Sequence, residues 1–180
     1  MSIYWKNVAP GPKTPESVYA IIECPKGTLN KYEMSKTTNL MVLDRVLHSS
    51  VIFPLDYGFI PGTFAEDGDP LDILVFISHP VYPMTILEVK PIGVLIMEDQ
   101  KGLDEKVVAV SETDPVYKNF DDIDGLPSHY MEEIREFFRT YKNLEDRSYS
   151  EVKGWKNKEH SHQIINKAIK TFKVKFGDIA

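Results

Sequence analysis

For its first two-thirds the chain alternates short apolar runs with polar turns; after that, apolar residues recur every three or four positions. Residues 18–22 (Val-Tyr-Ala-Ile-Ile) are apolar throughout and lie between Pro15 and Pro25-Lys26-Gly27, which predicts a strand buried on both faces. Lys31-Tyr32-Glu33-Met34 alternates, setting Lys31 and Glu33 on one face and Tyr32 and Met34 on the other. A further run, Leu40-Met41-Val42-Leu43, precedes Asp44-Arg45, and Val51-Ile52-Phe53-Pro54 leads into a turn-rich stretch through Tyr57-Gly58 and Pro61-Gly62. Residues 73–77, 85–89, 93–97 and 106–110 supply more strand candidates, and many short strands at this spacing predict a closed or nearly closed barrel. Pro127 suits the first turn of a helix, and Tyr130, Ile134, Phe137, Phe138, Tyr141 and Leu144 then fall at helical spacing. Ile164, Ile165, Ala168, Ile169 and Phe172 repeat that pattern near the end. The expected class is α+β: a barrel with two helices packed on it, in one domain over residues 1–180.

Composition narrows the setting more than the fold. A 180-residue chain with 42% apolar and 27% charged residues is ordinary for a globular domain with one core. The longest apolar stretches, residues 73–77 and 92–97, are too short to cross a bilayer. Met1-Ser2-Ile3-Tyr4-Trp5-Lys6 lacks the basic-then-apolar order of a signal peptide. Cys24 is the single cysteine, so no intramolecular disulfide forms, and it reads as a small core residue. The expected location is the cytoplasm. A net charge of -6 argues against nucleic-acid and anionic-membrane partners. It is compatible with a polyanionic substrate if the acidic excess includes a cluster that holds divalent cations.

Asp67-Gly68-Asp69-Pro70-Leu71-Asp72 is such a cluster, three carboxylates in a tight turn that feeds a buried strand. Gly68 lets the backbone bend, while Pro70 fixes its own φ and pushes Asp69 towards an extended conformation. Carboxylates this close repel one another, and a hard cation relieves the repulsion. Asp99 and Asp104 flank a loop through Lys101-Gly102 and are further candidate ligands. The plain alternative is a solvated turn, since Asp and Gly are common turn residues. A calcium loop of the EF-hand type fails on spacing, because Asp72 stands where its glycine is required and Ser78 where its glutamate is required.

The segment from Asp67 to Ile73 resembles the signature of soluble family I inorganic pyrophosphatases. Glu23 at the end of an apolar strand, Lys31-Tyr32-Glu33, Val42-Leu43-Asp44-Arg45 and Pro54-Leu55-Asp56-Tyr57-Gly58 precede it in the family's order. Asp99, Asp104, Lys106, Tyr141-Lys142 and Val152-Lys153-Gly154-Trp155 follow. The similarity runs from about Val8 onward, and the short length resembles the prokaryotic, hexameric type. The resemblance implies a five-stranded closed barrel of OB-like shape and Mg2+-dependent hydrolysis of inorganic pyrophosphate to two orthophosphates by a metal-activated water. It implies that Asp67, Asp72 and Asp104 hold the first Mg2+ ions, with Asp72 bridging two and Asp99 joining Asp104 at a further site. Glu23 and Glu33 would contribute through metal-bound water or an outer ion. Asp69 would orient and deprotonate the attacking water, while Lys31, Arg45, Tyr57, Lys106, Tyr141 and Lys142 would grip the phosphates.

Physical chemistry is consistent with these roles. Mg2+ takes oxygen ligands, two such ions activate a shared water, and phosphoryl transfer needs mainly positioning and charge stabilisation. Taken singly, each residue also has a plainer reading. Lys31 and Glu33 make a solvated pair, Arg45 with Asp44 a surface ion pair, Tyr141 a core residue and Lys142 an exposed one. Two positions depart from the family's usual pattern: Phe53 stands where a tyrosine is common, and Gln100 where a glutamate is common. An altered rate or metal dependence is expected from them. His48, His79, His129, His160 and His162 form no ligand pattern and read as structural or surface residues. The rival classes are a barrel that binds nucleic acid without hydrolysing anything, which would interleave exposed aromatics with basic residues, and an enzyme for organic di- or triphosphates.

Overall fold

A computed structural model describes residues 5–100, 102–145 and 149–179. Among these, eight strands and two α-helices follow in order: β1 (Val18–Cys24), β2 (Asn30–Met34), β3 (Met41–Val46), β4 (Asp56–Phe59), β5 (Asp72–Phe76), β6 (Ile86–Asp99), β7 (Gly102–Ser111), α1 (Ser128–Thr140), β8 (Ser150–Asn157) and α2 (Lys158–Phe176). Met1 to Tyr4 and Lys101, both considered above, lie outside the described residues.

Strands β1, β4, β5, β7 and β6 are hydrogen-bonded in that order, and β6 pairs back to β1, closing a ring of five. This is the expected α+β barrel of OB-like shape. Strand β6 makes the closure possible through its length. Residues from Ile86 to Val89 pair with β1, and those from Gly93 to Asp99 carry β8 on the same edge. Two separate strands, 85–89 and 93–97, were expected here; the chain instead runs continuously through a register shift between Pro91 and Gly93. All pairs in the ring are antiparallel except β5 with β7. Strands β2 and β3 form a separate two-stranded sheet.

The runs of β5 and β7 are apolar without alternation because both faces are covered. Ile73, Val75, Val107 and Ala109 lie in one core with Ile164, Ile165 and Ala168 of α2. Leu74, Phe76, Val108 and Val110 lie in another with Ile134, Phe137 and Phe138 of α1. Cys24 is fully buried and unpaired, as expected. The sequence around β4 predicts turn, since Asp-Tyr-Gly-Phe has no strand pattern. The strand pairs because Gly58 lets β1 come close: a Cβ on that residue would stand 1.9 Å from the Ile21 carbonyl oxygen. Strand β8 likewise lacks a clear apolar run and is held by β6.

Candidate active site

Period-two geometry sets the centre of the site. Asp72 opens β5 two residues before Leu74, and on β7 Lys106 and Asp104 precede Val108 by two and four residues, which are whole periods of the same alternation. All three therefore point to the α1 side, where Leu74 and Val108 are packed. The parallel register sets Ile73 beside Val107, which brings Asp72 and Lys106 together. Lys106 Nζ donates to Asp72 Oδ2 at 2.5 Å and to Asp104 Oδ1 at 2.9 Å. Tyr57, opposite Leu74 on β4, donates its hydroxyl to Asp72 Oδ2 at 2.7 Å.

Burial governs the electrostatics of this centre. Lys106 is only 3% exposed. Desolvation disfavours its charge, but Asp104 and Asp72 outweigh that and hold the ammonium above its ordinary value. The Tyr57 phenol is pushed well up by burial and then by the charges of Asp72 and Asp104. Glu23, at the end of β1, is raised to about 8, chiefly by burial; the Met34 N–H, which donates to its Oε1 at 2.7 Å, opposes the shift and Asp72 adds to it. Asp67 is also raised, first by burial, with the Asp69 N–H opposing and Asp72 adding.

Around this centre runs a cavity of about 310 Å3. The β2–β3 sheet supplies one wall with Glu33, Lys31 and Arg45, the last two directly opposite each other in register. The turn before β5 supplies Asp67 and Asp69, the β6–β7 hairpin Asp99 and Asp104, and the segment after α1 Tyr141 and Lys142. With Glu23, Tyr57, Asp72 and Lys106, all thirteen residues singled out from the sequence line this one space. Tyr141 is also a core residue: it is 7% exposed and stacks on Phe137 at 5.2 Å. Lys142 Nζ reaches Asp99 at 3.2 Å.

The lining has seven carboxyl groups against five cationic ones. Among the described residues, no three acidic, His or Cys side chains converge closely enough to hold an ion as they stand. Ammonium groups are interleaved with the acids instead: Lys106 with Asp72 and Asp104, Lys142 with Asp99, Lys31 with Glu33, and Lys36 with Asp69. The donor set nevertheless suits a hard cation, since it is entirely oxygen and includes partly desolvated carboxyl groups, Glu23 and Asp67, whose ionisation a divalent charge would favour.

Comparison with known proteins decides the family. The family profile described as "Inorganic pyrophosphatase" matches residues 20–173. The chain belongs to the soluble family I inorganic pyrophosphatases. The inorganic pyrophosphatase of Picrophilus torridus is 42% identical over 170 residues, covering 94% of this chain and 96% of that one. Soluble inorganic pyrophosphatase 2 of Chlamydomonas reinhardtii is 50% identical over 141 residues, covering 78% of this chain and 73% of that one. The crystal structure of inorganic pyrophosphatase from Thermus thermophilus superposes with a TM-score of 0.91 at 41% identity, over 94% of this chain and 98% of the other.

Two residues that pair with side chains of this cavity carry no signal in the sequence. Lys36, in the turn between β2 and β3, pairs with Asp69. Glu145 accepts from Arg45 Nε at 2.8 Å. Nothing local marks either one, because each contact spans a long stretch of chain. The two positions expected to depart from the family pattern lie in different places, one in the core and one in the cavity lining. Phe53 is 2% exposed and packs on Phe137 at 4.9 Å and Tyr57 at 5.7 Å. Gln100 lines the cavity and accepts from the Tyr149 N–H at 3.3 Å. His160 approaches Glu105 at 3.0 Å and His129 faces Glu132 and Glu133, while none of the five histidines lines the cavity.

Proposed function

We propose that the protein hydrolyses inorganic pyrophosphate to two orthophosphates with Mg2+ as its cofactor. The observation that carries this reading is the convergence of seven carboxyl groups and five cations on one cavity, from segments scattered between Glu23 and Lys142. Asp67, Asp72, Asp99 and Asp104, with Glu23 and Glu33 further out, would hold the ions. Bound Mg2+ supplies a lowered pKa to water and neutralises phosphoryl oxygens. Asp69 sits in the same turn as Asp67 but off the Asp72–Lys106–Asp104 centre, and its carboxylate accepts the proton of the attacking water. Lys31, Arg45, Lys106 and Lys142 bind and orient the phosphates and spread the charge that develops on them. Tyr57 and Tyr141 add hydroxyl donors from a packed wall, where their positions are fixed by the core.

The test is phosphate release from pyrophosphate, with Mg2+ and with a chelator in its place. Rapid, metal-dependent release is expected, with nucleoside triphosphates turned over far more slowly. Equal rates on both substrates would move the reading to organic phosphates. Salt-dependent oligonucleotide binding without phosphate release would move it to the nucleic-acid module. The assembly we propose is a cytoplasmic homo-oligomer, a hexamer by likeness to the family. Support for it comes from β3, where Val42, Leu43 and Val46 are about half exposed. Sedimentation as a monomer at working concentration would count against it.

A further inference from the structure

The β2–β3 sheet stands apart from the barrel ring, yet it carries Lys31 and Arg45 into the cavity. Tyr141 and Lys142 face it from the segment after α1. Three residues beyond Lys142, Glu145 reaches across and accepts from Arg45 Nε at 2.8 Å, a contact between residues 100 apart in sequence. The two side chains are 14% and 26% exposed, so the pair is more desolvated than an ordinary surface contact. Arg45 Nη1 donates to Asp44. Among the described residues, Arg45 Nη2 makes no hydrogen bond. A second tie joins the same walls: the His48 ring nitrogen Nδ1 lies 3.3 Å from the Leu144 carbonyl oxygen.

We propose that Glu145 is a positioning residue. It clasps the β2–β3 sheet to the segment after α1 and fixes the Arg45 guanidinium so that Nη2 meets a phosphate oxygen. Two carboxylates hold two of the three nitrogens, so Arg45 is oriented before substrate arrives rather than on arrival. The proposal rests on the reading that Arg45 grips the phosphates. Its sign separates it from a simple charge effect. A negative charge near a polyanion repels it, so removing Glu145 would tighten binding if only charge mattered; if Glu145 positions Arg45, removing it weakens binding.

The experiment is steady-state hydrolysis of pyrophosphate by the full chain with saturating Mg2+, comparing Glu145→Ala, Glu145→Gln, Arg45→Ala and the Arg45→Ala/Glu145→Ala pair, each with its thermal midpoint. Glu145→Ala is expected to raise KM about tenfold, the scale on which outer-shell partners act, with a smaller change in kcat and an unchanged midpoint. Glu145→Gln keeps an oxygen acceptor at the same reach and should restore part of the loss; it also serves if the alanine variant fails to fold. The double variant should be no worse than Arg45→Ala alone. An unchanged or lowered KM in Glu145→Ala, or a further full rise in the double variant, overturns the proposal. If Arg45→Ala leaves KM unchanged, or the unmodified protein releases no phosphate, the parent reading has failed and the proposal falls with it; both outcomes are read without any Glu145 variant.

Discussion

Asp114 offers a stability test at the end of the barrel away from the site. Its carboxylate accepts from the Ser78 N–H at 2.7 Å, the Ser78 hydroxyl at 3.0 Å, the Val116 N–H at 2.8 Å and the Tyr117 N–H at 3.2 Å. Ser78 follows β5 and Asp114 follows β7, so one side chain ties the far ends of the two parallel strands whose near ends carry Asp72 and Lys106. The residue is 7% exposed. Hydrogen bonds to a charged group contribute about 1.5–3 kcal/mol each, but Val116 is exposed and water can satisfy its N–H once the carboxylate is gone. Asp114→Ala is therefore expected to cost about 3–4 kcal/mol. Asp114→Asn keeps one acceptor oxygen and should cost about 2 kcal/mol. For a chain of this size the asparagine variant should melt about 4–8 °C lower, at fixed protein concentration.

The pH dependence follows from the same contacts. Burial works against the Asp114 charge, but the N–H groups of Ser78, Val116 and Tyr117 and the Ser78 hydroxyl outweigh it and hold the carboxyl below its ordinary 3.8. With the folded value depressed, the unfolded chain binds the proton more readily. The stabilisation is thus complete above 3.8 and is lost as pH falls through the lower, folded value. Denaturant midpoints should show a constant gap between the unmodified protein and Asp114→Asn from neutrality down to about pH 4.5, then a narrowing gap as acid protonates the carboxylate. A gap under about 0.5 kcal/mol at neutral pH, or one that widens on acidification, would refute the reasoning. In the folded state of either variant, kcat should stay close to that of the unmodified protein.

Three further outcomes are expected. Asp69→Asn should slow turnover by about 10²–10⁴-fold while the variant still folds and still binds Mg2+ by calorimetry; near-normal turnover would remove Asp69 from the role of base. Gln100→Glu adds a carboxylate beside Asp99 and should lower the Mg2+ concentration for half-maximal activity severalfold, as read from a metal titration at fixed pyrophosphate. Gly58→Ala would set its Cβ 1.9 Å from the Ile21 carbonyl oxygen, so strands β1 and β4 must part. The expected cost is at least the 1–3 kcal/mol of an overpacked core, and an unchanged melting temperature would show that the ring tolerates the displacement.

What the sequence reveals of the fold depends on whether burial is written locally. Strands β1, β5 and β7 were readable because both of their faces are covered, which forces an unbroken apolar run. The helices were readable because each covers one face and so keeps a 3.6-residue period. Strands β4 and β8 were not, for the converse reason. Tyr57 is placed by its neighbours on β5 and by the room that Gly58 leaves, and β8 is an added edge strand with half-exposed residues. Nor did the continuity of β6 show locally, since Pro91 and Gly93 look like a break and become one only where neighbouring strands fail to bridge them.

The site divides along the same line. Asp67, Asp69 and Asp72 are close in sequence, so their crowding shows in the chain itself, Asp99 and Asp104 stand out beside a short loop, and resemblance to a family extends the reading to the other eight residues. Lys36 and Glu145 had neither signal. Each acts on a residue 33 or 100 positions away, and a lysine in a turn or a glutamate after a helix looks like any solvated charge. Their contacts share one consequence. Lys36 joins the tip of the β2–β3 sheet to the turn that carries Asp69, and Glu145 joins the base of that sheet to the segment that carries Lys142. The sheet is not part of the barrel ring, and two ion pairs link it to the walls on either side of the cavity. Glu23 and the Met34 N–H add a third link, from the end of β1. Lys31 and Arg45, two of the cations that would bind phosphate, are thus carried on an element fastened to the barrel partly by acidic groups of the same site, so the geometry of substrate binding and the placement of the carboxylates depend on one another.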